Sequence, residues 1–298
     1  MPDRSPALRA LARVVRSQFC LRPARRRLNP ARMLAIDAHY RKTFADLGLN
    51  SFNSIVAFFG AARPPRKTTV IVKPQVLEPP GQPALPVFFK IYEHSPAAWA
   101  FLGRASKAHR EFDNYEVFNR LGIACAARIA CGEERDAIGR LRRAFIITRA
   151  IPDALNAVEF FKERLPSRST PAQRAIRAGL LRQLAQMTAT IHSAGFFHHD
   201  LVWRNILVAP QPSGEPALWW IDCPRGQFDR WSPWRERRRL KDLASLDKSA
   251  SKHCSRGERL AFIKHYLGKP RLDAEARKLI RRTLNYRRQR WPEDWNED

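Results

Sequence analysis

Phe197-His198-His199-Asp200-Leu201-Val202-Trp203-Arg204-Asn205-Ile206-Leu207-Val208 decides the reading of this chain, together with Trp219-Trp220-Ile221-Asp222 downstream. Asp200 is followed five positions on by Asn205, and a second apolar run then ends in Asp222. In phosphoryl transfer, an Asp in the first place takes the proton of the attacking hydroxyl. An Asn five residues later turns its amide oxygen to Mg²⁺, and an Asp closing the next strand bridges the metal ions at the β- and γ-phosphates. An isolated His-x-Asp is common and says little. The order and spacing of all three groups say more, because they have to serve one triphosphate.

Upstream, Thr170-Pro171 reads as a helix start, with Thr as N-cap and Pro in the first turn. Ile176, Leu180, Leu184, Met187 and Ile191 form its apolar stripe, and Gly195 ends it. That stripe is core, and the helix delivers the chain into the Asp200 loop. Ala144 to Thr148 reads as a buried strand. Thr68 to Val72 and Pro86 to Tyr92 read as two more, with Pro74 to Pro86 as a proline-rich loop between them. Lys90 interrupts the apolar run of the second. Such a lysine can simply alternate out to water; beside the downstream motif it reads as the lysine that holds the α- and β-phosphates of ATP. Ser106 to Leu121 is a predicted helix closed by Gly122, with Phe112, Tyr115, Phe118 and Leu121 as its core face. Glu111 and Glu116 on that helix are both candidate partners for Lys90.

The chain has 298 residues, 44% of them hydrophobic, so it can bury a core and is not an intrinsically disordered chain. The longest apolar runs, such as Ser54 to Ala62, are far short of a membrane span, and no secretory signal peptide is apparent. The cysteines (Cys20, Cys125, Cys131, Cys223, Cys254) are scattered without a Cys-x-x-Cys pair. Neither zinc ligation nor a disulfide framework is expected, and a reducing compartment is. Fifty-four Lys and Arg against 28 Asp and Glu give a formal charge of +26. Such a field favours an anionic partner: a polyanionic substrate, an anionic membrane face or nucleic acid. Residues 1–40 read as a basic leader. Just after Asp222, Arg225, Arg230, Arg235 and Arg237 crowd a short segment with Trp231 and Trp234, and are candidate contacts to an acidic substrate.

With these residues in hand, the chain resembles the lipopolysaccharide core kinases, the heptose and Kdo kinases of the bacterial envelope. The resemblance runs from about residue 45 to 250. It rests on Leu47 to Phe52, Leu85 to Lys90, Glu111 to Gly122, Ile191 to Leu201, Ile221-Asp222 with Arg225, and Lys241-Asp242-Leu243-Ala244. It implies an α+β, protein-kinase-like two-lobed fold, with a β-rich lobe over residues 41–150 and a mainly helical lobe over 151–298. It implies Asp200 as catalytic base, Asn205 and Asp222 as Mg²⁺ ligands, and Lys90 paired with Glu111 against the phosphates of ATP. Asp242 would be a buried carboxylate bracing the catalytic loop. The implied reaction is ATP-dependent phosphorylation of a sugar hydroxyl of the lipopolysaccharide inner core, by a cytoplasmic protein peripheral to the inner membrane. Nucleic acid is then not the expected partner.

Departures from the kinase pattern sharpen this. There is no Gly-x-Gly-x-x-Gly; Gly60 stands alone, so phosphate cover falls to another backbone arrangement or to Arg66 and Lys67. His199 occupies the place of the Arg that in many protein kinases pairs with a phosphorylated loop, and Cys223-Pro224 replaces Phe-Gly. Control by loop phosphorylation and a mobile switch after Asp222 are therefore not expected. Two alternatives remain in view: a kinase of this fold with a protein or small-molecule acceptor, and a basic pseudokinase that binds nucleic acid or membrane.

Overall fold

The computed structural model describes residues 34–60, 69–166, 170–211, 213–229 and 233–295. Arg230, Trp231, Arg66, Lys67 and most of the basic leader lie outside the described residues. The chain forms two compact units: residues 34–154 with 219–225, and residues 155–218 with 226–295. One is β-rich and one mainly helical, as an α+β class requires.

The β-rich unit is built on five antiparallel strands: β1 (Leu34–Ile36), β2 (Thr69–Leu77), β3 (Leu85–Ala98), β4 (Arg128–Arg135) and β5 (Leu141–Arg149). Their spatial order is β1-β4-β5-β3-β2. Alternation along β3 sends Val87, Phe89 and Ile91 to one face and Phe88, Lys90 and Tyr92 to the other. The first face packs on α1 (Arg41–Asp46) and α2 (Phe52–Phe58), where Phe44, Phe52, Ile55, Val56 and Phe59 join Phe145 and Ile147 in one core. Phe59 stacks on Phe89 with ring centroids 4.4 Å apart. Ser51 starts α2 through a capping box with Ser54. Against expectation, β2 continues through Pro74 to Leu77, and the turn shrinks to the residues before Leu85. Pro74 is tolerated because β2 is an edge strand, where a missing N–H breaks no ladder on the open side.

Helix α3 (Lys107–Arg120) begins where Ser106 accepts the His109 N–H, and ends before Gly122, whose φ of 68° suits glycine. It buries Phe112, Tyr115 and Phe118, so the expected core face is present. Truncating a fully buried Phe118 would cost about 3–5 kcal/mol.

In the helical unit, β6 (Leu155–Asn156) precedes α4 (Ala157–Glu163) and α5 (Pro171–Ser193). Thr170 and Gln173 cap α5 reciprocally, and Leu180, Leu184, Met187 and Ile191 are its buried stripe. Ile176 is only half-buried. The chain continues through β7 (Phe196–Phe197), β8 (Ile206–Pro210), β9 (Pro216–Trp220), β10 (Gln227–Phe228), α6 (Arg235–Ala250), α7 (Arg256–Leu267) and α8 (Ala274–Arg290). Ala185, Leu240, Leu243, Tyr266 and Leu279 meet in the core of the helices. A buried Arg177 ties α5 to α7 by a pair with Glu258 at 2.7 Å, and satisfies the carbonyls of Leu165 and His253. Strand β9 carries the chain from one unit to the other: Trp220 exchanges backbone hydrogen bonds with Ala124 and Ala126 of the β-rich unit.

Candidate functional site

The candidate residues form two clusters, one in each unit. In the β-rich unit, Lys90 projects from the α3 face of β3, the face opposite the apolar core, and its side chain is 14% exposed. Its ammonium donates to Glu111 Oε2 at 3.0 Å and to Asp222 Oδ1 at 2.6 Å. Glu116, the other candidate partner, points elsewhere and pairs with Arg120 and Arg128. Glu111 lies one turn before Tyr115 on the buried face of α3.

Two phenols complete the cluster. Tyr92 Oη donates to Glu111 Oε2 and Tyr115 Oη to Glu111 Oε1, both at 3.2 Å. The Asp222 N–H in turn donates to Tyr115 Oη at 3.0 Å. Burial opposes the Lys90 ammonium, but Glu111 and Asp222 outweigh it and hold its pKa above the ordinary lysine value. Burial pushes the Glu111 carboxyl up, and Lys90 offsets this only in part. The Tyr115 phenol is also raised, by burial and by the neighbouring Glu111. Asp222 has φ of 57°. On the Lys90 face, Val72 stands directly opposite Lys90, and Val70, Val72, Val76 and Phe88 are exposed apolar side chains.

In the helical unit, the loop after α5 carries Asp200 and Asn205. Asn205 is buried and its amide nitrogen donates to the Asp200 carbonyl at 2.9 Å, which commits the amide oxygen to another direction. The loop hangs on Asp242 of α6, which is fully buried. Its two carboxylate oxygens accept the His198 and His199 N–H groups, each at 2.8 Å, and Oδ2 also meets His192 Nε2 at 3.3 Å. Arg239 donates to Tyr266 Oη at 2.7 Å, and Tyr266 Oη lies 2.9 Å from His192 Nδ1. The Asp242 carboxylate can only accept, so the ring nitrogen that faces it, Nε2, carries a proton. Burial would raise the Asp242 carboxyl, but the His192 hydrogen bond and the His198 N–H overcome it and hold it below the usual range. His199, at φ of 66°, is pushed down to about 4 by burial. It is neutral near pH 7 and does not replace a cationic Arg.

The basic residues divide. Arg225, Arg235 and Arg237 are exposed, although Arg235 reaches the His192 carbonyl at 3.2 Å. Arg238 is committed to Asp229 at 2.7 Å and Arg239 to Tyr266, so those two are structural. Tyr92, Tyr115, His192 and Tyr266 are polar members of these networks that the sequence reading missed. The signal lay in their hydroxyl and imidazole groups, at positions where periodicity registers only an apolar ring. Among the described residues, no group of three or more His, Cys, Asp or Glu gathers to hold a metal ion, and no helix is long and apolar enough to cross a membrane.

The model of the lipopolysaccharide kinase (Kdo/WaaP) family matches residues 93–266, a span that includes Glu111, Asp200, Asn205, Asp222 and Asp242 and begins three residues after Lys90. Among solved structures, the chain is similar to WaaP in complex with acyl carrier protein, with a TM-score of 0.61 and 22% identity over 88% of this chain and 99% of that one. That likeness shows a protein-kinase-like fold. A double mutant of the Mycobacterium tuberculosis PknI kinase domain matches at a TM-score of 0.36 and 16% identity, over 72% of this chain and 79% of that one. No curated protein matches.

Proposed function

The chain belongs to the lipopolysaccharide kinase (Kdo/WaaP) family, phosphotransferases with a sugar hydroxyl as acceptor, and on that premise we propose that it transfers the γ-phosphate of ATP to a heptose or Kdo hydroxyl of the lipopolysaccharide inner core. The observation that carries this reading is the joint grip of Lys90 on Glu111 and Asp222. A lysine so held is charged and oriented before substrate arrives, and keeps one N–H free of those two bonds for a phosphate oxygen. Val72 and Phe88, exposed on the same face, offer apolar surface to a nucleotide base.

Asp200 is the proposed base for the sugar hydroxyl. Asp222 and Asn205 are the proposed Mg²⁺ donors. The fit is chemical: both present oxygen, the donor a hard cation takes, and Mg²⁺ is commonly held by one or two protein groups with phosphate oxygens and water completing its shell. When bound, Mg²⁺ neutralises charge that develops on the β- and γ-phosphate oxygens. Glu111 and Asp222 set the position of Lys90, while Asp242 sets the backbone that precedes Asp200. The exposed Arg225, Arg235 and Arg237, with Arg230, would meet an anionic glycolipid and the cytoplasmic leaflet of the inner membrane, at about 1 kcal/mol per well-placed cation.

Phosphate transfer from γ-labelled ATP, with Mg²⁺, to dephosphorylated lipopolysaccharide core tests the reading. Label in the core sugar that disappears in Asp200→Ala supports it. ATP binding without core labelling would move the acceptor to a protein or small molecule, and absence of ATP binding would favour the pseudokinase.

One observation favours an additional partner. The helical unit contains a partly open pocket of about 630 Å³ lined mainly by apolar side chains, among them Leu184, Leu243, Leu246, Leu260 and Ile263. Because WaaP was solved with acyl carrier protein, we extend that partner to this chain, with the carrier's acyl chain in the pocket. Filling the pocket by Ile263→Trp should abolish binding of the acylated carrier; unchanged binding would remove the pocket from this reading.

A further inference from the structure

The Asp222–Cys223 segment is held at three points by other residues of its unit. The Asp222 carboxylate meets Lys90 Nζ, and the Asp222 N–H meets Tyr115 Oη at 3.0 Å. One residue on, the Cys223 carbonyl accepts from Asn114 Nδ2 at 2.7 Å. Asn114 and Tyr115 are consecutive on α3, and they capture consecutive residues of a segment that has neither helix nor strand. The Tyr115 hydroxyl is used in both directions: its proton goes to Glu111 and its oxygen receives the Asp222 N–H. It therefore joins the lysine's glutamate to the backbone of the aspartate.

Packing alone does not call for this hydroxyl. The Tyr115 ring is 2% exposed and contacts Phe118 edge-on at 6.4 Å, which a phenylalanine would do equally. The backbone does call for it. Asp222 sits at φ of 57°, in the left-handed region that L-residues seldom occupy, and persists there because its surroundings over-determine it. Pro224 adds to this by restricting Cys223 to extended conformations.

We propose that Asn114 and Tyr115 are positioning residues that lock the Asp222–Cys223 backbone, so that the Lys90, Glu111 and Asp222 set is assembled in the resting protein without an activating event. The inference rests on the role proposed above for Asp222. It accounts for Cys223-Pro224 where many kinases carry Phe-Gly: a hydroxyl and an amide from α3 seat the aspartate, and no aromatic side chain after it is needed.

The test is Tyr115→Phe, with Asn114→Leu as a second variant. Readouts are amide hydrogen exchange at Asp222, Mg·ATP binding by calorimetry, and steady-state transfer as a function of Mg²⁺. In Tyr115→Phe, with Tm within about 2 °C of the parent, Asp222 amide exchange should be faster by on the order of tenfold. kcat should fall by on the order of tenfold, with a raised Mg²⁺ half-saturation and little change in KM for ATP. Asn114→Leu should move the same readouts in the same direction. Parent-like exchange, Mg²⁺ half-saturation and kcat would overturn the proposal. So would a fall in Tm with those three unchanged, which is the signature of a structural residue only. Asp222→Asn separates the two levels: full transfer in that variant would overturn the role of Asp222 itself, whatever the exchange data show.

Discussion

Glu111 and Asp242 are both buried carboxylates, one in each unit, and their surroundings drive them in opposite directions. Asp242 receives two backbone N–H groups at 2.8 Å and an imidazole N–H. Fixed dipoles of that kind stabilise an anion permanently, and its carboxyl lies below the usual range. Glu111 receives one mobile ammonium and two phenols, has Asp222 nearby, and is pushed up by burial. Backbone donors cannot leave, whereas the ammonium of Lys90 is a side-chain donor that, in the role proposed for it, turns toward a phosphate. A permanent anion suits a brace, and a partner whose charge depends on a movable cation suits a substrate-binding site.

The strongest challenge to this contrast is Asp242→Ala. It would leave the buried His198 amide and the half-buried His199 amide without their acceptor and should lower stability by about 3–5 kcal/mol in urea unfolding. A loss under about 1 kcal/mol would make Asp242 an ordinary core polar group. Next, Glu111→Gln should cut kcat/KM by on the order of a hundredfold while stability stays within about 1 kcal/mol of the parent. A stability loss equal to that of the Asp242 variant would erase the distinction. Third, the two carboxylates should bend the stability–pH curve oppositely. Asp242, depressed, stabilises above its unfolded pKa of about 3.9, and that contribution is lost as pH falls through the folded value. Glu111, raised, contributes most below its unfolded pKa of about 4.3 and loses that contribution as pH rises through the folded value. Urea midpoints from pH 3 to 7 should therefore show a shallower acid-side loss in Asp242→Asn and a shallower neutral-side loss in Glu111→Gln. The smallest effect belongs to His199→Asn. Because His199 titrates near 4, transfer should stay within about threefold and show no lost limb around pH 6.5.

The backbone of this architecture was legible where local rules act alone. Thr170-Pro171 and Gly195 bracket α5, and Ser106 and Gly122 bracket α3, because caps and positive φ are one-residue decisions. Lys90 was legible through its strand and its downstream motif. Choosing Glu111 over Glu116 needed the family resemblance, since both lie on one helix and only tertiary packing tells which face meets β3. Tyr115 was read as core, correctly for its ring, and its hydroxyl escaped because hydrophobic periodicity carries no information about a polar tip. The sequence by itself does not tell Arg235 and Arg237 from the adjacent Arg238 and Arg239. Only the fold separates Arg238 and Arg239, committed to Asp229 and Tyr266, from the exposed Arg235 and Arg237. Pro74 misled for a related reason: whether a strand is an edge is a property of the sheet, not of the strand.

The short excursion of Trp219–Arg225 into the β-rich unit has a consequence for the order in which a ribosome makes this protein. All five strands of the larger sheet and helix α3 have been synthesised by Arg149, and residues 155–218 then follow before Asp222 appears. Until that moment Lys90 has only Glu111 to hold, and the Tyr115 hydroxyl has no amide to receive. The nascent chain thus carries a lysine–glutamate pair without its aspartate through the whole interval, and the set closes only when the last piece of the unit leaves the exit tunnel.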